Sequence, residues 1–297
     1  MTLVTELENV AGLDCRWKTD LTSFSTFRMQ SQGDLVIANT EKALSILLHQ
    51  LQENGRTWRM LGWGANQVLA PLETDVLIQL DFVHDPDVLA YARDEYELPA
   101  SIGLNVLTAH AIKFGTSGWE ALTGIPASLG GAIYMNAGTA LGEIGALVRS
   151  VRMMNAKGEI RDELMTANSF SYRKNHFVRP GDVILSAVLT HNGLDATLPD
   201  RIRKYQEYRR QSQPLATKNC GCVFKNAAPT RQAGRLIDLT GLKGLAVGAL
   251  RVSHKHANFM ENQGGASADD FVELTRLINQ QMKLHWGVAF ELEVKAV

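Results

Sequence analysis

The stretch that most limits how this chain can fold is Gly124–Gly138, reading GIPASLGGAIYMNAG. No charged residue occurs between Glu120 and Glu143, yet the run is too rich in Gly, Ser, Thr, Asn and Pro to span a bilayer. Pro126 fixes a turn, and Ser128 is placed to cap a short helix whose first amides belong to small residues. The pair Gly130-Gly131 removes side chains, so that a ligand phosphate can reach the backbone and the positive end of the helix. On the pattern alone, a buried Gly/Ala helix packed closely on a sheet is an equal reading.

The chain's 297 residues are enough for two or three domains and a large core. Apolar residues make up 45% and charged residues 21%, the proportions of a soluble globular protein. With 30 Lys and Arg against 31 Asp and Glu, the net charge of -1 gives no electrostatic case for nucleic-acid binding. The start, Met1-Thr2-Leu3-Val4-Thr5-Glu6, lacks the basic region and apolar core of a signal peptide. Three cysteines, Cys15, Cys220 and Cys222, cannot all pair within one chain, and the cytoplasm is the simplest compartment. No membrane association is expected, and a monomer is the expected state.

Along the chain, Leu35–Ala38 reads as a buried strand. Thr40 then caps a helix carrying Leu44, Leu47, Leu48 and Leu51 on one face, stopped by Asn54-Gly55. Trp58–Leu61 is the next strand and completes a small βαβ unit. After it comes Gly62-Trp63-Gly64-Ala65-Asn66-Gln67. A dinucleotide-binding Rossmann loop wants a third glycine at position 67 and a helix beyond it. Gln67 and the poor helix former Leu69-Ala70-Pro71 reject that fold. Val76–Leu80 is a further strand, and the acidic stretch from Asp81 to Glu97 reads as a solvated meander. A helix through Val106, Leu107, Ala111 and Phe114 closes at Gly115, and a hairpin turns at Lys157-Gly158. Val183–Leu189 has the character of a central strand, and 191–199 that of a linker before an arginine-rich helix from Asp200 to Arg210.

In the last third, Ala233–Leu239 is a short helix and 246–252 a strand. Ser267 and Asp270 form a capping box for a helix with Phe271, Leu274, Ile278 and Met282 on one stripe, ended by Gly287. The final strand alternates, with Val288, Phe290, Leu292 and Val294 on one face and Ala289, Glu291, Glu293 and Lys295 on the other. That places Glu293 away from the core, where it either serves a cleft or faces solvent. Cys220-Gly221-Cys222 has no second cysteine pair, so a zinc site is not expected, and no metal is.

These segments together resemble the UDP-N-acetylenolpyruvoylglucosamine reductase family. GIPASLGGAIYMNAG is similar to its FAD-contacting signature, and Gly62–Asn66 to its Gly-x-Gly-Ser-Asn turn, with Ala65 in place of serine. Thr26-Phe27-Arg28 resembles an early Thr-Phe-Arg segment, but Ser31-Gln32-Gly33 replaces the glycine pair that usually follows. Ser169–Asn175 resembles Phe-x-Tyr-Arg-x-Ser, with Arg173 retained and Asn175 in place of serine. Cys220–Asn226 resembles Gly-Ser-x-Phe-Lys-Asn-Pro, with Cys222 in place of serine and Ala227 in place of proline. The terminal Leu292-Glu293-Val294 matches in full.

The resemblance implies an α+β fold: a two-part FAD-binding module of the vanillyl-alcohol-oxidase/PCMH type and a C-terminal α/β substrate-binding domain. The expected divisions are 1–82, 83–198 and 199–297, with the last strand returning Glu293 to the flavin site and no mobile tyrosine loop. Non-covalent FAD would be held by Gly62, Gly64, Ala65, Asn66 and Gln67. It would also be held by Gly124, Ile125, Pro126, Ser128, Gly130, Gly131, Ala132, Asn136 and Gly138. Lys225 and Asn226 would bind the UDP-sugar. The implied reaction is NADPH-driven reduction of the enolpyruvyl ether to UDP-N-acetylmuramate. In it Arg173 and a protonated Glu293 stabilise charge developing on the substrate carboxylate, and Cys222 protonates the adjacent carbon. The departures keep two alternatives open, an oxidoreductase of the same fold with another substrate and a non-catalytic flavin-binding relative.

Overall fold

The structure, a computed structural model, describes residues 3–70, 75–228 and 230–296. Met1, Thr2 and Pro71, which entered the sequence reading, lie outside them. Contacts divide the chain into two compact units. Unit one holds residues 1–17, 34–63 and 74–206; unit two holds 18–33, 64–73 and 207–297. The stretches 18–33 and 64–73 thus group with the C-terminal third although the chain passes through them early.

Among the described residues, unit one contains two four-stranded sheets and two short two-stranded ones. The first runs in the order Leu13–Asp20, Gln32–Ala38, Val76–Leu80, Trp58–Met60, its first two strands crossing the unit boundary. Gln32–Ala38 and Trp58–Met60 are both parallel to Val76–Leu80, which lies between them. The expected βαβ unit therefore exists in chain order but is opened in space by a third strand. Its helix, Glu41–Glu53, starts at Thr40, whose hydroxyl accepts from Ala43 N–H, and buries the leucine stripe Leu44, Leu47, Leu48 and Leu51.

The second sheet is antiparallel, in the order Ile160–Leu164, Val148–Met154, Val183–Thr190, Glu95–Pro99. Val183–Thr190 is central, as its run of Val, Ile and Leu suggested. Glu95–Pro99 is a correction to the expected acidic meander. Tyr96 and Leu98 are fully buried while Glu95 and Glu97 point outward, the two-residue period of a strand with one wet face. Leu104–Phe114 ends at Gly115 in the left-handed region, φ +74°. The arginine-rich helix is longer than expected, Leu198–Ser212, with Pro199 in its first turn, where a missing N–H costs nothing. The unit boundary falls inside this helix.

In unit two the Ala268–Trp286 helix has the expected capping box of Ser267 and Asp270 and a Gly287 stop at φ +64°. Its stripe of Phe271, Leu274, Ile278 and Met282 packs in one core with Val223, Phe224, Ile237, Leu250 and Val252. The strand expected over 246–252 is a hairpin instead, Ala246–Val247 against Leu250–Val252, because Gly248 takes φ +52° between them. The C-terminal alternation also fails at one point. Val288, Phe290 and Val294 are buried as expected, but Leu292 is 37% exposed and Glu293 only 9%. Asn279 explains the break: its side chain accepts from Phe290 N–H at 2.8 Å and donates to Phe290 C=O at 3.1 Å, holding that residue to a helix instead of a neighbouring strand. The mixture of helices with parallel and antiparallel strands matches the α+β class expected.

Candidate active site

The Gly62–Asn66 loop leaves the Trp58–Met60 strand and leads into a short strand, Gln67–Val68, not a helix. Gly64 sits at φ +63°, and a Cβ there would overlap the Phe24 carbonyl oxygen, so the turn requires glycine. The amides of Gly62, Trp63, Gly64 and Ala65 donate to no acceptor among the described residues. In unit two, Thr26 N–H donates to Gly64 C=O, and the Thr26 hydroxyl is buried without a partner among the described residues. Backbone donors without acceptors on a loop nearly free of side chains suit the oxygens of an anionic diphosphate. By this test the residues present fit a dinucleotide cofactor such as FAD.

In the uncharged run, the helix Leu129–Tyr134 begins where expected, with Ser128 Oγ accepting from Gly131 N–H at 3.4 Å. Its first amides are otherwise taken: Leu129 N–H donates to Ile102 C=O and Gly130 N–H to Ala100 C=O, each at 2.8 Å. These two donors close the helix onto the chain that follows the Glu95–Pro99 strand. The two glycines also differ. A Cβ on Gly130 would stand 2.8 Å from the Ala100 Cβ, making it a packing glycine. One on Gly131 would meet only Ser128 Oγ at 3.3 Å and Gly62 Cα at 4.0 Å. Gly62 and Gly131 thus face each other across the Ser128 hydroxyl with little side chain between them. Gly138 is a packing glycine, since a Cβ would overlap the Gly142 carbonyl oxygen and lie 2.8 Å from Glu143 Cα.

Arg173 lies in the turn between Phe170–Ser171 and Lys174–Asn175, at φ +56°. Its side chain is 15% exposed, and Nη1 donates to Glu143 Oε1 at 3.1 Å. Nη1 also reaches Asn136 C=O at 3.4 Å, and Nη2 donates to Gly138 C=O at 3.2 Å. Asn136 is buried at φ +48°; its Nδ2 donates to Glu143 Oε2 at 2.8 Å and its Oδ1 accepts from Gly145 N–H. Asn175 donates to Tyr134 C=O at 2.6 Å and accepts from Val178 N–H, so this departure from the family pattern is locally satisfied.

In unit two the stretch from Cys222 to Lys225 runs between two others. Val223 N–H donates to Asn258 C=O, and Glu293 N–H donates to Val223 C=O, both at 2.8 Å. Cys222 and Glu293 are thereby on adjoining backbones. Asn258 holds both main-chain groups of Phe224, accepting from its N–H at 3.0 Å and donating to its C=O at 2.8 Å. Burial raises the pKa of the Cys220 thiol, and the nearby Cys222 and Glu293 raise it further, so Cys220 stays protonated and inert. Lys225 Nζ pairs with Glu291 at 3.1 Å. Asn226 Oδ1 accepts from Ala233 N–H at 3.0 Å, tying down the start of the Ala233–Leu239 helix. Ala227 uses an N–H that proline lacks, donating to Arg231 C=O.

Sequence reasoning missed Glu143, although it is the first charge after the long uncharged run. It missed the holding role of Asn258 as well, for which no local pattern gives a signal.

Residues 213–297 match the family model of the UDP-N-acetylenolpyruvoylglucosamine reductase C-terminal domain. Residues 34–163 match that of an FAD binding domain. A UDP-N-acetylenolpyruvoylglucosamine reductase of Streptococcus pneumoniae strain JJA is 31% identical over 294 residues, covering 97% of this chain and 96% of that protein. The chain belongs to the UDP-N-acetylenolpyruvoylglucosamine reductase family. Another member, from S. pneumoniae strain CGSP14, is 32% identical over the same length. The crystal structure of the reductase from Thermus caldophilus superposes with a TM-score of 0.78 at 30% identity, covering 96% of this chain and 98% of that one. As a member of the reductase family, this chain pairs an FAD binding domain with the family's C-terminal domain.

Proposed function

We propose that the protein catalyses the NADPH-driven, FAD-dependent reduction of UDP-N-acetylglucosamine enolpyruvate to UDP-N-acetylmuramate, a step of peptidoglycan precursor synthesis. It would act in the cytoplasm as a monomer. The observation that carries this reading is the Glu293 N–H to Val223 C=O bond, which sets the thiol of Cys222 and the carboxyl of Glu293 on adjoining backbones. Both residues stand where the family carries its proton donor and its catalytic glutamate.

Bound FAD would supply the hydride chemistry, with NADPH as the source of the hydride and the enolpyruvyl double bond as its acceptor. The open amides of Gly62–Ala65 would hold its diphosphate, beside the closely approaching pair Gly62 and Gly131. The protein's own part is electrostatics and proton delivery. Arg173 offers planar donors to the substrate carboxylate, on which negative charge grows as the double bond is reduced. Glu293, in its acid form, donates a hydrogen bond to the same developing charge. Cys222 gives its proton to the carbon bearing the carboxylate, and the half-buried thiolate regains one from solvent. Hydride and proton together reduce the double bond, so the product gains two hydrogens. Lys225 and Asn226 would bind the UDP-sugar.

The test is NADPH oxidation followed in the presence and absence of the enolpyruvyl UDP-sugar, with mass spectrometry of the product. Sugar-dependent oxidation giving a product heavier by two hydrogens is expected. Oxidation indifferent to the sugar would refute the reading.

A further inference from the structure

We infer that Glu143 is a positioning residue for Arg173, which rests on the role proposed above for that arginine. An arginine that must grip a carboxylate has a long stem, and holding it in one geometry costs about 2 kcal/mol of rotamer entropy. That cost is met before substrate arrives if other groups already fix the guanidinium. Among the acceptors that do so are the carbonyls of Asn136 and Gly138 and the carboxylate of Glu143. Of these three, Glu143 supplies the charged side chain.

Glu143 is itself held. It lies in the short hairpin Gly138–Thr139 against Gly142–Glu143, directly opposite Gly138. Its second oxygen accepts from Asn136 Nδ2 at 2.8 Å, and that amide also donates to Ser171 C=O, at the start of the turn that carries Arg173. One carboxylate therefore spans the end of the uncharged signature run and the arginine turn, one oxygen to each. The turn is where help is needed, because Arg173 has φ +56°, a conformation that costs a residue with a Cβ about 1–2 kcal/mol. Strained backbone of this kind persists where surrounding contacts over-determine it. Gly138 completes the device, since any Cβ there would push Glu143 away.

Glu143 keeps 35% of its side chain exposed, so Glu143→Gln should fold normally. The experiment is a double-mutant cycle, read in the anaerobic rate at which the enolpyruvyl UDP-sugar reoxidises the NADPH-reduced holoenzyme. We expect Glu143→Gln to slow that rate at saturating sugar by about tenfold or more. Glu143→Asp, which keeps the charge, should recover most of the loss. In an Arg173→Lys background, Glu143→Gln should cost less than about twofold further, because its effect passes through the guanidinium. Equal losses in both backgrounds, or a Glu143→Gln rate equal to that of the parent, would overturn the inference. Should Arg173→Lys itself reoxidise at the parent rate, the role of Arg173 fails instead, and the two failures are told apart.

Discussion

The side-chain amide of Asn66 donates to the main-chain carbonyl of Glu293 at 3.0 Å, and Asn66 C=O in turn accepts from Lys295 N–H at 3.0 Å. One residue of the glycine loop thus brackets the terminal glutamate from both sides. The four amides just before Asn66 have no acceptor among the described residues. The loop suited to the cofactor diphosphate and the backbone carrying the acid are therefore joined at Asn66, through its side chain and its main chain, and by the strand pairing that follows. Asn66→Ala should loosen both. We expect flavin content after gel filtration to fall and sugar-driven reoxidation of the remaining flavin to slow by about tenfold. Full flavin retention with unchanged reoxidation would show that the bracket is dispensable.

The glycines separate into two kinds that respond differently to one methyl group. Gly131→Ala meets Ser128 Oγ at 3.3 Å, which the hydroxyl relieves by a shift of a few tenths of an ångström, and it adds helix propensity of about 0.5–1 kcal/mol, so the apoprotein should melt no lower than its parent. If its open face lines the cofactor, FAD affinity should drop by about tenfold or more, measured by fluorescence titration. Gly138→Ala should instead cost about 1–3 kcal/mol of stability, because the hairpin carrying Glu143 must open. Denaturant unfolding of the two apoproteins would reverse this assignment if Gly131→Ala were the less stable.

Much of the local structure was legible in the sequence because its signals are local. The Thr40 cap, the Ser267–Asp270 box and the Gly287 stop are each written within four residues. The placement of Val76–Leu80 between two earlier strands was not, since parallel strand order leaves no mark on hydrophobic period. Glu95–Pro99 was hidden by its own acids, which mark the wet face of a strand as readily as a loop. At the site, the resemblance singled out Arg173, Cys222 and Glu293. Which glycines are open and which are packed depends on neighbours far off in the chain, Ala100 for Gly130 and Gly62 for Gly131. Glu293 was expected to face away from the core, and it is buried because Asn279 breaks the alternation three residues earlier, at Phe290.

Acid should destabilise the first unit through His110. This ring is 5% exposed, and its Nδ1 lies 3.2 Å from Leu89 C=O, which can only accept, so Nδ1 carries the proton. Nε2, 3.0 Å from the Tyr96 hydroxyl, then accepts from it in the neutral ring. Burial lowers the pKa of His110 below its ordinary value, and Lys113 and His191 add to this, against the Leu89 carbonyl, which raises it. Above about pH 6.5 the ring is neutral folded and unfolded, and the full stability is present. As pH falls below that value the unfolded chain takes up the proton first, so stability declines until the folded pKa is passed. His110→Gln should lower stability at pH 8 yet flatten its fall between about pH 6.5 and 5. Parallel pH curves for parent and variant would remove His110 from the titration.

Cys222 is where this chain departs most in chemistry from the family pattern. Cys222→Ser should restore the family's residue and retain sugar-driven reoxidation, while Cys222→Ala should slow it by about a hundredfold as the proton donor is lost. Both variants should be reduced by NADPH at the parent rate. Stopped-flow absorbance separates the two half-reactions, and an unchanged rate in Cys222→Ala would take this residue out of the proton-donor role.

The most direct measurement is the absorbance spectrum of the purified protein, taken before and after anaerobic NADPH and again after the enolpyruvyl UDP-sugar. Yellow protein that bleaches with NADPH and regains its colour with one equivalent of the sugar is the predicted result. Bleached protein that stays colourless with the sugar, but regains its colour when air is admitted, would contradict the proposed acceptor.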